Sequence, residues 1–430
     1  MSTFATRIPL SQIATVTLSF LGLLCSARAQ TSYPMLMALT PVAAQTGQAS
    51  EHSLTSRYSM FGAYRVLVTG DGVTGEVVTP MELDKDGKEP SLTTIKLRFT
   101  VAEDALPGVR DFRIVGPTGA STVGQLVVVT SPVVSEDGAN NTADAANAIT
   151  VPSTVCGAVE RAEDVDFYRF SLTTPAAMTF HCQAMRLQDK IHDLQTHIDP
   201  IITIRNAKNG STIAAADNTF AADPFLACNL PEGDFLLEVR DVRYQGNTYW
   251  NYAIEVDSRP FISNVHPLAV TRGTEASLQL IGSGMNEPVV TSFTAPADAP
   301  PAAIDVVLPM PAGKTNPVPV VITDLPVSLE ENAENNTFAQ AQGIPVPGAI
   351  AGRIESESDI DCYSFEATKG DRLNIEVVAR RNGSGLDSII RLLNSEGKSL
   401  TENDDLREWN RRTSQDSLIE GWTAPAAGKN

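Results

Sequence analysis

Asp164-Val165-Asp166-Phe167-Tyr168 recurs as Asp359-Ile360-Asp361-Cys362-Tyr363, and Asn140-Asn141-Thr142 recurs as Asn335-Asn336-Thr337, all at one offset of 195 residues. A second set, Pro34, Pro41, Gly47 and Leu54, returns as Pro260, Pro267, Gly273 and Leu280 at an offset of 226. The two sets interleave. Two module types therefore alternate, as A1 (32–131), B1 (132–257), A2 (258–328) and B2 (329–430). Self-similarity on this scale marks an array of small domains.

Each module reads as strands. In A1, Tyr64–Thr69 and Thr94–Val101 alternate polar and apolar residues, and Pro107-Gly108 makes a turn before a further strand. In B1, Phe235–Arg240 sets Phe, Leu and Val on one face against Leu, Glu and Arg on the other; Leu373–Arg380 does the same in B2. This period of two is the half-buried antiparallel pattern. Asn206–Gly210 and Asn394–Gly397 sit between strands as hairpin turns. No stretch carries a sustained helical period. The expected fold is all-β, tandem antiparallel β-sandwich modules behind a leader. A2 is shorter than A1 and rich in Pro and Ala over 295–301.

The leader is residues 1–29. Arg7 is its positive charge, Ile13–Leu24 its apolar stretch, and Ala27-Arg28-Ala29 a small-x-small cleavage site, so the mature chain is expected to start at Gln30 and to be exported. The apolar stretch is shorter than the roughly 20 residues of a membrane span, so no membrane insertion is expected after cleavage. A net charge of -19 disfavours nucleic acid, whose phosphates call for Lys and Arg, and leaves carboxylates for divalent cations. Cleavage removes Cys25 and leaves Cys156, Cys182, Cys228 and Cys362. Cys182 aligns with Val377 and Cys362 with Phe167, which favours buried thiols acting as small hydrophobes. A Cys182–Cys228 or Cys156–Cys228 bridge stays open, because exported proteins permit one.

The B modules resemble the bacterial pre-peptidase C-terminal domain, a secreted β-sandwich. The residues that carry the likeness in B2 are Glu331, Asn335-Asn336-Thr337 with Phe338–Ala341, and the Asp-x-Asp-x-Tyr run. Leu386-Asp387, Ile389, Leu392, Gly397 and Glu402–Asp405 follow in order. Leu237–Asp241 closes the pattern in B1. The A modules resemble immunoglobulin-like domains of the IPT/TIG kind. The resemblance implies a non-catalytic module, found beside the catalytic domains of secreted peptidases or in large envelope proteins, whose collagenase relatives bind calcium and in some cases collagen. Calcium takes six to eight hard oxygen ligands. The candidates are Glu136, Asn140, Asp164 and Asp166 in B1, and Glu331, Asn335, Asp359 and Asp361 in B2. Where the family offers a second Glu, this chain has Gly138 and Ala333, with Glu334 as a substitute in B2. The competing reading makes each Asp-x-Asp a surface turn, with Tyr168 and Tyr363 filling the core.

Other constellations are weaker. His192, Asp193, His197 and Asp199 gather in a B1 insertion with His181 close by, which reads first as a polar loop and second as a transition-metal site. Tyr244, Tyr249, Trp250 and Tyr252 crowd one stretch, first as core and hairpin packing and second as a carbohydrate platform. HExxH, GxSxG and the phosphate loop are absent from the sequence, so no catalytic residue is expected. B1 continues past Gly233 with two strands, whereas B2 stops just after the matching Gly428, so the chain reads as part of a longer protein. The expected role is binding, adhesion or spacing of an extracellular protein or polysaccharide at the bacterial envelope. The alternative is the accessory N-terminal region of a larger secreted hydrolase.

Overall fold

The computed structural model describes residues 33–188, 191, 196–219, 223–311, 313–331, 334–408 and 411–429. The leader lies outside them, as do His192 and Asp193. Strands dominate throughout, so the chain is all-β as its period-two runs require.

A1 stacks two sheets. One runs β1 (Leu36–Thr40), β3 (Ala49–Ser56), β6 (Thr94–Val101), β5 (Val73–Val77); the other runs β2 (Ala43–Gln45), β9 (Gly124–Val129), β7 (Gly108–Gly116), β4 (Arg65–Val68), with β8 (Gly119–Ala120) on β7. Between the sheets lie Leu54, Ile95, Leu97, Phe99, Phe112 and Leu126, all essentially buried. Pro41, after a cis peptide bond, hands the chain from β1 in the first sheet to β2 in the second. There β2 runs parallel to β9.

B1 has two five-stranded sheets. The first is β10 (Val133–Ser135), β12 (Ser153–Ala158), β19 (Asn251–Asp257), β14 (Ala176–Gln183), β17 (Phe225–Leu230). The second is β11 (Asn147–Ala148), β13 (Val165–Leu172), β18 (Gly233–Asp241), β15 (Pro200–Asn206), β16 (Thr212–Ala216). Here β10 and β11 are parallel to their neighbours, so the sandwich is mixed rather than purely antiparallel. These short strands carry too few residues to show a period. Strand β18 is also more buried than its alternation suggests, because Glu238 on the outer face is covered by ion pairs with Arg205 and Arg240.

A2 keeps β20 (Phe261–His266), β22 (Glu275–Ser283), β23 (Val289–Thr294) in one sheet. Its other sheet is β21 (Ala269–Thr271), β27 (Val318–Thr323), β24 (Ala303–Val306), beside a hairpin of β25 (Pro309–Met310) and β26 (Gly313–Lys314). B2 is a set of strand pairs: β28 (Val327–Leu329) with β30 (Ala349–Ala351), β29 (Gln342–Gly343) with β31 (Tyr363–Ser364), and β32 (Glu366–Ala367) with β39 (Gly428–Lys429). The remaining pairs are β33 (Arg372–Glu376) with β38 (Leu418–Thr423), β34 (Ile390–Leu393) with β35 (Ser399–Asn403), and β36 (Leu406–Glu408) with β37 (Arg411–Ser414).

The β32–β39 register, Glu366↔Lys429 and Ala367↔Gly428, repeats Ser171↔Asp234 and Leu172↔Gly233 of B1. In B1, β18 and β19 form the middle of the two sheets. Among the described residues of B2 only the two residues of β39 stand in those places, and Ile354 is 48% exposed where its counterpart Val159 is fully buried.

Several alternatives are settled by position. All four described cysteines are free. Cys228 sits opposite Met178, Cys182 opposite Ile254 and Cys156 opposite Ala253, so neither candidate bridge forms. Trp250 and Tyr252 are core residues, Trp250 donating through Nε1 to the Thr196 carbonyl at 3.0 Å, and they offer no platform to a sugar. Modules A1 and B1 share an apolar seam of Val42, Ala43, Val127 and Val129 against Cys156, Leu187 and Ala253. Across it, Asn251 Nδ2 donates to the Leu39 carbonyl at 2.9 Å and to Thr40 Oγ1 at 3.0 Å. Among the described residues no helix is long and apolar enough to cross a membrane.

Candidate metal site

Each B module brings three segments together where its first strand meets the loop before the Asp-x-Asp run. In B1, Glu136 follows β10, and its Oε1 accepts from Ala158 N at 2.9 Å. In B2 the same bond is made by Glu330, whose Oε2 accepts from Arg353 N at 2.9 Å. The ladders agree: Ser135 pairs with Cys156, and Leu329 with Ala351. B2 therefore carries one more residue than B1 between this glutamate and the asparagine. The common offset of 195 points to Glu331, but Glu330 holds the position and Glu331 is exposed, held by its backbone N–H to Gln342. This corrects Glu331 as a ligand candidate.

The two asparagines are held by their backbones. The Asn140 carbonyl accepts from Phe167 N at 2.9 Å and the Asn335 carbonyl from Cys362 N at 3.0 Å, which leaves both side chains inside the module. Asn335 Nδ2 donates to Glu330 Oε1 at 2.7 Å. Its Oδ1 is buried without a partner, as are Asp361 Oδ1, Glu136 Oε2 and both amide atoms of Asn140. Buried polar atoms are rarely left this way unless an ion or a water meets them.

Asp164 and Asp359 play a different part. Asp164 Oδ2 accepts from Glu160 N at 2.8 Å, and Asp359 Oδ2 from Glu355 N at 2.9 Å. Asn141 and Asn336, with their amides oriented to donate, reach the other oxygens at 2.8 and 2.9 Å. These two acids shape the loop, whose preceding residues Glu163 and Ser358 both have positive φ. The loop in turn aims Glu160 and Glu355. Neither glutamate was among the sequence candidates, although they recur at the same offset of 195 and were legible on that ground.

In B2, Glu330, Glu355 and Asp361 each place a carboxylate oxygen within 4.8 Å of the others, a group able to hold a metal ion. Like charges gathered this closely favour a proton or a cation. Burial, then Glu330, Asp359 and Glu355, push the Asp361 carboxyl up to about 7. Burial, then a hydrogen bond that its protonated form donates to Asp359, also raises Glu355. The Tyr363 hydroxyl donates to Glu330 Oε1 at 3.0 Å.

In B1 the pocket is also reached from β19. Tyr252, from β19, donates to Asp166 Oδ2 at 2.7 Å and shares a 2.6 Å hydrogen bond with the Tyr168 hydroxyl. Gly157 lies against both Glu136 Oε2 and the Tyr252 hydroxyl, so even a methyl group there would collide with them. Burial, then Asp166, pushes Glu136 up to about 8, and burial pushes Asp166 up to about 7 against the Tyr252 hydrogen bond. B1 meets Asp166 of its acid pocket with a phenol, and its Glu160 is the counterpart of Glu355. Hard carboxylate and amide oxygens with unpartnered lone pairs suit a hard divalent cation, and water would complete six or more ligands.

No curated protein matches the chain. Among solved structures, the pre-peptidase C-terminal domain of a collagenase from Bacillus anthracis is 15% identical, covering 26% of this chain and 94% of that one, with a TM-score of 0.21. The secreted serine protease VesC from Vibrio cholerae is 9% identical over 50% of this chain and 49% of its own, with a TM-score of 0.17. SGBP-B of a Bacteroides ovatus mixed-linkage glucan utilization locus, in complex with a mixed-linkage heptasaccharide, is 8% identical over 50% of this chain and 73% of its own, with a TM-score of 0.17. Residues 359–430 match the family described as Bacterial pre-peptidase C-terminal domain, so the chain carries one such domain at its C-terminal end.

Proposed function

We propose that this is an exported, non-catalytic array of β-sandwich modules. It binds an extracellular protein or polysaccharide at the bacterial cell envelope, and calcium fastens its B2 module. The observation that carries the metal part is the convergence of Glu330, Glu355 and Asp361 beside the unpartnered Asn335 Oδ1. A cation there joins three segments: the strand arriving from A2, the loop before Asp359, and the start of β31. Arg353, whose N–H binds Glu330, also donates through Nη1 to Gln279 of A2 at 2.9 Å. Filling the site therefore stiffens the A2–B2 junction as well as B2.

Calorimetric titration of the chelator-treated chain tests this. One calcium bound per chain, with a rise in the B2 unfolding midpoint, is the expected result. No heat and no shift at about 10 mM calcium, a concentration at which even millimolar sites are nearly full, removes the metal from the reading.

The pre-peptidase domain at 359–430 also favours a second reading, in which these modules serve a secreted hydrolase. Gelatin or casein hydrolysis that follows the native product through capture on an antibody to residues 132–257 supports it. Loss of activity at that step supports the free-standing binding protein.

A further inference from the structure

A2 is A1 without one strand pair. Leu308 N donates to Thr315 Oγ1 and Thr315 N to the Leu308 carbonyl, as Ile114 N does to Ser121 Oγ and Ser121 N to the Ile114 carbonyl. The ladders match too, with β22–β23 repeating β3–β6 from Glu275↔Thr294, the counterpart of Ala49↔Thr100. The difference lies between those strands. Residues 57–93 of A1 carry β4 and β5, whereas residues 284–288 alone connect β22 to β23.

In A1, β5 lies along the outer edge of β6, antiparallel, from Val73↔Val101 to Val77↔Leu97. It closes the core: Ile95, Leu97 and Phe99 are essentially buried, and Gly75 passes over Phe99 and Val66 so closely that a side chain would meet them at 2.8–3.0 Å. In A2, β23 pairs with β22 alone among the described strands, and β25, which is hydrogen-bonded to β26 and not to β23, lies near it. The counterparts Val289, Thr291 and Phe293 are only half-buried, and Val290 is 63% exposed. A short, uncharged, β-branched edge of this kind templates a further strand.

The charge around the slot differs from that in A1. There Arg98 on β6 binds Glu76 of the added strand at 2.9 Å and Glu51 at 2.8 Å. In A2 the place of Arg98 is taken by Ser292, whose hydroxyl donates to the Glu275 carboxylate. A strand docking there meets an acid where β5 met a guanidinium. A second copy of this chain, at net charge -19, is a poor occupant.

We propose that the outer edge of β23 docks an extended segment of a partner protein, antiparallel to β23. Its glycine or alanine lies opposite Phe293, and its Lys or Arg faces Ser292 and Glu275. The site is separate from the carboxylate site of B2.

The probes are two synthetic peptides of residues 63–79, the A1 hairpin itself and its Glu76→Lys form, added to the full chain. At about 1 mM peptide, a concentration that registers even weak binding, the Lys form is expected to protect amides 289–294 from exchange. It should bind roughly two- to fivefold tighter than the parent, the range of a cross-strand charge pair. Ser292→Arg should reverse that preference. Lack of protection at 289–294, or equal affinity for the two peptides in both proteins, overturns the proposal. A dimer that protects 289–294 without peptide overturns it as well, because a second copy would then hold the edge.

Discussion

Glu330 and Glu331 are chain neighbours with opposite fates, because a strand turns successive side chains to opposite sides. Glu330 faces Asn335, Tyr363 and the Arg353 N–H, while Glu331 faces solvent. Glu330→Gln is therefore expected to weaken calcium binding by about tenfold or more, as loss of a charged ligand or its support does. Glu331→Gln should leave it unchanged. The reverse order in calorimetry would show that the register had been set one residue wrong. His52 gives a residue-level test in A1. Its Nδ1 donates to the Pro41 carbonyl at 2.7 Å, and its Nε2 lies 2.7 Å from Ser50 Oγ, a hydroxyl able to donate to the neutral ring. Burial lowers its pKa below 6.5, with the Pro41 hydrogen bond opposing. The unfolded chain then binds the proton more readily than the folded one. His52 stability is complete above pH 6.5 and is lost as pH falls through 6.5 toward the folded pKa. The midpoint of the calorimetric transition that contains A1 should drop more between pH 7 and 5 in the natural chain than in His52→Phe. Equal drops would mean that His52 does not set the acid sensitivity.

At the scale of elements, two buried aspartates reach back across their modules to hold the chain after β14 and after β33. Asp223 accepts from Met185 N at 2.7 Å and from Arg186 Nε at 2.6 Å. Asp416 accepts from Ala379 N at 3.1 Å and Arg380 N at 2.6 Å, and lies 3.6 Å from Arg381 Nε. Both are fully buried. Asp223→Ala should cost about 1–3 kcal/mol, the penalty of leaving buried donors unpaired, and Asp223→Asn less. A loss too small to measure by denaturant unfolding would show that water replaces the carboxylate. The sequence does not align this pair, because the loops before the aspartates differ in length. The offset that matches Arg186 to Arg381 puts Asp223 opposite Leu418, not Asp416. The same cause hid Glu330. Strands β6, β18 and β19 were legible because eight or so residues of alternation outvote local noise. The three-residue strands β2 and β10 were not, nor was the buried outer face of β18, where Glu238 is paid for by two arginines rather than by solvent. Glu355 was legible in principle: its repeat is intact, but a lone glutamate in a loop gives no sign of where the loop points.

At the scale of the molecule, the chain enters and leaves B1 side by side. Strands β10 and β19 flank β12 in one sheet, with Thr154 opposite Val133 on one side and Glu255 on the other. At about 4.8 Å per strand, the two linkers emerge roughly 10 Å apart. Arg259, just past B1, donates to Thr130 Oγ1, just before it, at 3.2 Å, and binds Asp257. Phe261 of A2 packs against Phe225 of B1 with the rings tilted and their centroids 4.5 Å apart. The first three modules thus fold back on one another instead of extending as a rod. Their cooperation depends on the A1–B1 seam, where Asn251 is a polar link among apolar side chains and Ser131 Oγ shares a 2.7 Å hydrogen bond with Thr154 Oγ1. In the natural chain A1 and B1 should unfold in one calorimetric transition. Asn251→Ala leaves the Leu39 carbonyl buried and unpaired, at about 1–3 kcal/mol, and should split that transition or lower it by several degrees. Two separate transitions already in the natural chain would mean that the seam is contact without coupling, and the folded-back arrangement would then be one of several that the linkers allow.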